Sequence, residues 1–405
     1  MNFRKELTCT AFCGTKLSKV ILKYVSEHKF LFCVILVCGC YAGILYNQTM
    51  PFAEGWYTYY AQCINNGEIV YKDFDYLFTP LYIYFIAFFT KIFGYKIIFL
   101  RLLGVIFFCI IGCLIYIILR EIFNDGISFI ASITAAFFLQ SESVQIFYDY
   151  IRFMDIFVSL TVLFLIKAVK SIDSQMSRRC LFGAGICNSM CLLVKQNIGV
   201  VFFAYAFIFV FSACAVLHFD FRKILHNLFM LGMGFLIPLF GAVLFMLWKG
   251  SLRAFFNQTG SEALAAKGGI FEILFGWLGN NSQSFQNASN FAFWVLLFLL
   301  VSYVLQRKLS KNIHEENFNS ICGTILFIAT IIVLVLLTRK ENIANVFIGH
   351  SYLSPYSIFL IVVPIFIIMV IHVIFRSVKK EEISKRELLY IVLSGSYFAI
   401  SFGCG

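Results

Sequence analysis

The chain has 405 residues, of which 61% are hydrophobic and 13% charged, and it carries a formal net charge of +11. With a mean hydropathy of +0.87, it has too little polar surface for a soluble globular protein. The composition therefore predicts an all-α polytopic membrane protein. The 14 cysteines lie mostly inside apolar runs without metal-ligand spacing, so we expect no disulfide framework.

The N-terminal segment, residues 1–29, is basic and precedes the first apolar run at 30–46. No small-residue cleavage site follows that run. We therefore expect a cytoplasmic N-terminus and an uncleaved signal anchor, with a single transmembrane domain over residues 30–405.

A polar, acidic and aromatic stretch at residues 47–96 interrupts the apolar sequence and is predicted to be a large first external loop. It is expected to contain juxtamembrane helices, one of them after Glu54, with a break at Asn65-Asn66-Gly67. A loop this long is usually functional. Its acids and selected aromatics are Glu54, Trp56, Tyr57, Tyr59, Glu68, Asp73, Asp75 and Tyr76.

The remaining apolar runs predict ten further spans, which brings the total to about eleven. Their approximate bounds are 97–119, 127–146, 156–169, 180–194, 198–217, 227–248, 291–305, 321–337, 355–375 and 388–403. The apolar stretch 80–94 is read as an interfacial helix on the outer surface and not as a span.

The distribution of charge supports this topology. The inner segments then hold 21 Lys and Arg residues and 11 acids, whereas the outer segments hold 11 and 10. Counting 80–94 as a span would invert every later loop and remove the cytoplasmic excess of basic residues.

On this topology, several ionisable residues outside the first loop gather on the outer side. Lys195 stands out because it lies between two apolar runs with no loop around it, and such a group usually faces a cavity or a partner. The set consists of Asp149, Arg152, Asp155, Lys195, Arg253 and His350.

The motif order resembles that of the GT-C superfamily of polyprenyl-phosphate-sugar-dependent glycosyltransferases. Bacterial relatives of the protein O-mannosyltransferases and the aminoarabinose transferases are the most similar. In those families an acid precedes a Gly-aromatic turn, as in Ala53-Glu54-Gly55-Trp56-Tyr57, although Ala53 stands where an Asp is usual. The other matching stretches are Ile64-Asn65-Asn66-Gly67-Glu68, Tyr71-Lys72-Asp73-Phe74, Thr79-Pro80-Leu81-Tyr82 with one Pro in place of two, Phe93-Gly94, Arg101-Leu102-Leu103 and Leu193-Val194-Lys195-Gln196-Asn197.

The resemblance implies an inverting sugar transfer from a polyprenyl-phosphate donor to an acceptor hydroxyl on the outer face of the membrane. Glu54 matches the family acid and is the expected catalytic base. Arg152, Lys195, Arg253 and His350 are the expected phosphate ligands. Trp56, Tyr57, Tyr59, Asp73, Asp75 and Tyr76 are the expected acceptor or sugar contacts, with Asp149 and Asp155 as acids of the second loop.

The expected partners are a polyprenyl-phosphate-linked sugar, a glycan, lipid or protein acceptor, and membrane lipids, without nucleic acid. We expect no cofactor, while a divalent metal is left open. The expected location is a bacterial inner or plasma membrane.

Two alternatives from other classes stay open on the sequence alone. A multispan transporter or a flippase for lipid-linked glycans shares the composition, but it would usually show internal repeats and broken helices. An O-antigen polymerase or ligase would carry its functional loop late in the chain, whereas here the polar aromatic loop follows the first span.

Overall fold

The computed structural model describes residues 28–45, 51–140, 148–172, 174–262, 355–379 and 381–403. Within these ranges the chain is almost entirely helical, and its one β-type pairing is an isolated bridge between Val70 and Phe74. The predicted spans at 291–305 and 321–337, and His350, lie outside the described residues.

Twelve α-helices follow one another in the described part of the chain. They are α1 Lys29–Leu45, α2 Pro51–Asn65, α3 Leu81–Phe93, α4 Ile97–Arg120, α5 Asp125–Gln140, α6 Tyr150–Lys170, α7 Gln175–Val194, α8 Gln196–Val216, α9 Phe221–Lys249, α10 Leu252–Phe256, α11 Pro355–Val378 and α12 Lys385–Gly403. A π-helical turn, Asn257–Glu262, follows α10 directly.

Three of these helices, α4, α8 and α9, are long and apolar enough to cross a membrane, whereas α3 and parts of α1, α5 and α11 form shorter apolar helices. An isolated apolar segment in a bilayer satisfies its backbone hydrogen bonds only as a helix, which is why the apolar runs fold in this way. The chain is thus an all-α membrane protein, and the total of eleven spans stays a prediction.

Close helix packing depends on small residues at one crossing. A Cβ atom on Gly185 of α7 would lie 2.2 Å from the Leu231 carbonyl oxygen of α9, and one on Gly234 would lie 2.1 Å from the Phe182 carbonyl oxygen. The two backbones therefore touch where both helices carry glycine, as is usual for membrane helices.

The described helices bring two groups of polar residues to opposite ends of the bundle. One end holds the first loop, the start of α6, the α7–α8 junction and the α10 region. The other end holds the Lys170–Glu121 ion pair at 2.5 Å and the Arg376–Glu387 ion pair at 2.7 Å. We call these the loop end and the basic end. Which of the two ends faces the outside of the membrane stays a prediction.

The first loop folds as a helix, an irregular stretch and a second helix. α2 begins at Pro51, so Glu54 lies in its first turn and does not cap a helix that begins near Trp56. The helix ends at Asn65, next to the predicted break, and Gly67 has a φ of 99° that suits glycine. The predicted interfacial stretch forms α3, which packs on α2.

Candidate active site

Glu54 is buried and bound by an arginine that the sequence analysis did not assign to the site. Arg101 Nε lies 3.0 Å from Glu54 Oε1, and Arg101 Nη2 lies 3.0 Å from Oε2. The Glu54 side chain is 5% exposed and the Arg101 side chain 19%. This is a two-point, charge-assisted contact in a poorly solvated position, so it fixes the orientation of the carboxylate.

The contact forms because Glu54 lies in the first turn of α2 and Arg101 near the start of α4. A signal for Arg101 was present in the sequence. It is a cation inside the apolar run 97–119, and such residues usually face a partner or a cavity.

Tyr148 lies beside this ion pair. Its side chain is fully buried, and its hydroxyl meets no partner with hydrogen-bond geometry among the described residues. Burial first, and then the nearby Glu54 carboxylate, raise the pKa of the Tyr148 hydroxyl far above its ordinary value. The neutral hydroxyl therefore stands next to the carboxylate over the whole physiological pH range.

Asp149 connects the first loop to α6. Its carboxylate accepts a hydrogen bond from the Tyr57 hydroxyl of α2 and another, 2.7 Å long, from the Tyr150 backbone N–H at the start of α6. Asp149 is thus the N-cap residue of α6, although its side chain binds the N–H of the first helical residue and not that of the second or third, which is usual. Burial raises the pKa of Asp149, whereas the two hydrogen bonds and the cations Arg152 and Lys195 oppose that rise.

Two further tyrosine rings pack on Tyr57 beside its contact with Asp149. Tyr57 packs edge-to-face on Tyr82 and on Tyr148, with centroids 5.2 and 6.2 Å away. The Tyr82 hydroxyl in turn donates to the Tyr148 carbonyl oxygen. Glu54 and Tyr57, the partner of Asp149, lie three residues apart on α2, which is about one helical turn.

Two of the four predicted phosphate ligands, Arg152 and Lys195, lie at the loop end as well. Arg152 is buried and its Nη1 lies 3.3 Å from Asp155 Oδ2, so these residues pair as neighbours on α6. Lys195 is half-buried at the α7–α8 junction, with its Nζ 5.8 Å from the centre of the Tyr150 ring. Tyr150 directly follows Asp149 in the chain, and both Arg152 and Lys195 act on the Asp149 carboxylate. Both cations therefore lie beside the contact between Tyr57 and Asp149.

Arg253 is placed differently. It is exposed on α10, and within the described ranges no contact joins it to Arg152 or Lys195. The helix that carries it packs on the first loop through Phe255, whose ring centre lies 5.2 Å from that of Tyr71. His350, the fourth predicted phosphate ligand, falls outside the described residues.

The predicted sugar contacts divide into three groups. Tyr57 and Tyr76 are buried, whereas Trp56 and Tyr59 are 63% and 60% exposed on the other face of α2. The structure therefore separates the two exposed rings from the buried ion pair.

The third group consists of Asp73 and Asp75, which support the loop itself. Asp73 accepts a hydrogen bond from the Ile69 backbone N–H at 2.7 Å, and Asp75 accepts one from Gln258 Nε2 at 2.8 Å. Gln258 also binds the backbone of Tyr71 and Tyr76 at 3.1 and 3.0 Å, respectively. This buried glutamine in the π-helical turn was missed by the sequence analysis, which offered no signal for it.

Two contacts fasten the end of the loop to the α7–α8 junction. Thr79 Oγ1 donates to the Leu192 carbonyl oxygen at 2.8 Å, and Gln196 Nε2 donates to the Leu77 carbonyl oxygen at 3.3 Å. The residue pair Lys195-Gln196 is thereby held against the first loop, although it is more than 100 residues away in the chain.

No group of three or more His, Cys, Asp or Glu side chains that could hold a metal ion occurs among the residues placed by the structure. None of the ten cysteines in those ranges forms a disulfide.

Residues 78–244 match the family model described as dolichyl-phosphate-mannose-protein mannosyltransferase. The matched segment includes Arg101, Asp149, Arg152 and Lys195 and begins after Glu54. No curated protein sequence matches the chain.

Among solved structures, the chain is similar to the Archaeoglobus fulgidus oligosaccharyltransferase, solved in complex with Zn and sulfate, at 15% identity and a TM-score of 0.38. The alignment covers 90% of this chain and 53% of that one, so this chain spans about half of that protein's length. Over residues 78–244, which is less than half of the chain, the sequence is thus similar to the dolichyl-phosphate-mannose-protein mannosyltransferase family.

Proposed function

We propose that the chain transfers a sugar from a polyprenyl-phosphate donor to an acceptor hydroxyl, with inversion at the anomeric carbon, at the membrane face where the loop end lies. The observation that carries this proposal is the placement of Glu54. It is a buried carboxylate fixed in orientation, at the same end of the bundle as the cations Arg152 and Lys195. A transferase of this kind needs a base for the acceptor and positive charge for the departing phosphate.

Glu54 is the proposed base. A carboxylate offers about four acceptor positions, and Arg101 occupies two of them, so one oxygen still has a lone pair for the acceptor proton. As that proton moves to Glu54, the acceptor oxygen bonds to the anomeric carbon and the bond from that carbon to the phosphate oxygen breaks. A single displacement of this kind inverts the anomeric centre.

Arg152 and Lys195 are proposed to meet the negative charge that develops on the polyprenyl phosphate. Lys195 is held at the α7–α8 junction through its neighbour Gln196. The Gln196 side-chain amide donates to the Leu77 carbonyl oxygen of the first loop and to the Thr259 carbonyl oxygen of the π-helical turn. Arg152 is oriented by Asp155. Both cations therefore need little rearrangement when the leaving group forms, which is the condition for effective electrostatic stabilisation.

The test measures turnover with polyprenyl-phosphate mannose and polyprenyl-phosphate aminoarabinose as donors, using the purified chain. Glu54→Gln keeps the side-chain volume but cannot take the proton, so turnover should fall by about 10²–10⁴-fold. Donor binding should change little. Glu54→Asp, which keeps the charge and moves it by about one methylene, should retain more activity than Glu54→Gln.

Asp73→Asn and Asp75→Asn are the matched controls, because the amide oxygen of Asn can accept the same hydrogen bonds from Ile69 and Gln258. Both should keep turnover within a few-fold of wild type. If Glu54→Gln is active while Asp149→Asn is inactive, Asp149 and not Glu54 is the base.

A transporter or flippase would behave differently in the same preparation. Reconstituted in vesicles, it would move the lipid-linked sugar across the bilayer without forming a glycosylated product. Product formation that depends on Glu54 would therefore support the transferase, and movement without product would contradict it.

A further inference from the structure

A basic cavity lies at the end of the bundle remote from Glu54. It has a volume of about 330 Å³ and opens where the α6–α7 connection meets the α8–α9 connection. The size falls within the range of about 300–1,000 Å³ that is usual for small-ligand sites. The lining residues are Ile172, Arg178, Phe219, Arg222, Lys223, His226 and Asn227.

Three permanent cations and one histidine in this lining come from two separate helices. Arg178 is half-buried on α7, and the others are exposed on the first turns of α9. No carboxylate in the described ranges forms an ion pair with Arg178 or Arg222. Asp220, the acid that directly precedes α9, is exposed, and its side chain forms no capping hydrogen bond with that helix. Arg178 and Arg222 therefore bring positive charge to the cavity from two separate helices, and the cavity suits an anion.

An apolar stripe lies next to this cavity on α9. Phe221, Leu225 and Phe229 recur at every fourth residue, so they share one helix face, and they are 72%, 57% and 56% exposed. Arg222 and His226, which are also four residues apart, form the adjoining stripe. An amphipathic ligand could therefore place its charged group in the cavity and its hydrocarbon along α9.

We propose that this cavity binds the phosphate headgroup of an anionic phospholipid in the leaflet opposite the candidate active site. Arg178 and Arg222 hold the phosphate from two helices, and the acyl chains lie along Phe221, Leu225 and Phe229. Basic pockets between membrane helices bind anionic headgroups by the same physical means, through charge-assisted hydrogen bonds in a partly desolvated position.

The test uses the full-length chain in detergent and measures binding of dioctanoyl phosphatidylglycerol, dioctanoyl phosphatidylcholine and inorganic phosphate. Phosphatidylglycerol should bind at least about tenfold more tightly than either of the others, because only it has both the net negative charge and the chains. The double variant Arg178→Gln/Arg222→Gln should lose at least about tenfold in affinity for it.

Arg179→Gln is the matched control. Arg179 is exposed and adjacent to Arg178 but does not line the cavity, so its loss should change affinity less than about twofold. Helical circular dichroism checks that each variant is folded. Equal binding of the two lipids, or an equal loss in Arg179→Gln, would overturn the proposal. Binding of inorganic phosphate as tight as that of phosphatidylglycerol would identify a free-anion site instead.

Discussion

Arg101 binds both carboxylate oxygens of Glu54 at 3.0 Å, although Glu54 lies on a helix inside the first loop and Arg101 on the helix that follows the loop. The pair joins α2 to the start of α4. Because the ion pair is largely buried, water cannot replace either partner. The contact should therefore also stabilise the fold.

Removing one member of this pair should be costly. Arg101→Met leaves Glu54 buried without its cation and should lower the free energy of unfolding by about 3–5 kcal/mol. The double variant Glu54→Gln/Arg101→Met should be more stable than Arg101→Met, because no unpaired charge is then buried. Denaturant unfolding in detergent measures both effects.

The control for this prediction is Arg120→Met. Arg120 Nε lies 2.8 Å from Asp125 Oδ1, but the side chains are 50% and 47% exposed. An exposed pair contributes at most about 1 kcal/mol, so Arg120→Met should be nearly neutral. A similar loss in both single variants would show that burial does not set the strength of the Glu54–Arg101 pair.

The pKa of Asp149 predicts a pH dependence of stability. Burial raises that pKa above the ordinary value of 3.8, so between the unfolded and folded pKa values the folded chain binds more protons than the unfolded chain. This group therefore makes the protein lose stability as pH rises through that window. In Asp149→Asn the contribution is absent, and the fall in Tm from pH 4 upward should be shallower than in wild type. An unchanged slope would contradict the folded-state pKa shift.

Lys195 should matter for use of the donor more than other lysines at the loop end. Lys195→Ala should weaken donor use by about 1.5–3 kcal/mol, the usual range for a charge-assisted contact. Lys249→Ala is the matched control, because Lys249 also sits over an aromatic ring, Trp248, at 4.8 Å, and shares no contact with Asp149. Comparing KM and kcat of the two variants measures the difference, and equal effects would remove Lys195 from the site.

The two ends of the bundle should lie on opposite sides of the membrane. Asn66 and Glu382 are exposed at the loop end and the basic end, respectively. In a cysteine-free background, Asn66→Cys should react with an impermeant maleimide added to intact cells, and Glu382→Cys should react only after the membrane is opened. Labelling of both positions in intact cells would contradict the topology drawn from charge.

Much of the helical framework could be predicted because it depends on local composition. The apolar run predicted as 97–119 is observed as α4, Ile97–Arg120, and the run at 198–217 as α8, Gln196–Val216. Backbone groups in an apolar medium must pair within their own segment, so the length of an apolar run nearly fixes the helix. Helix α2 begins at Pro51, earlier than the predicted start after Glu54.

The sequence by itself determined the membrane class, the helix positions and the types of residue that gather at the loop end. Only the tertiary structure decided which of them meet. Arg101 pairs with Glu54, Tyr57 with Asp149, and Gln258 with a loop some 180 residues earlier. The physical reason is that composition acts on each segment separately, whereas hydrogen bonds and ion pairs depend on distances set by the packing of segments far apart in the chain.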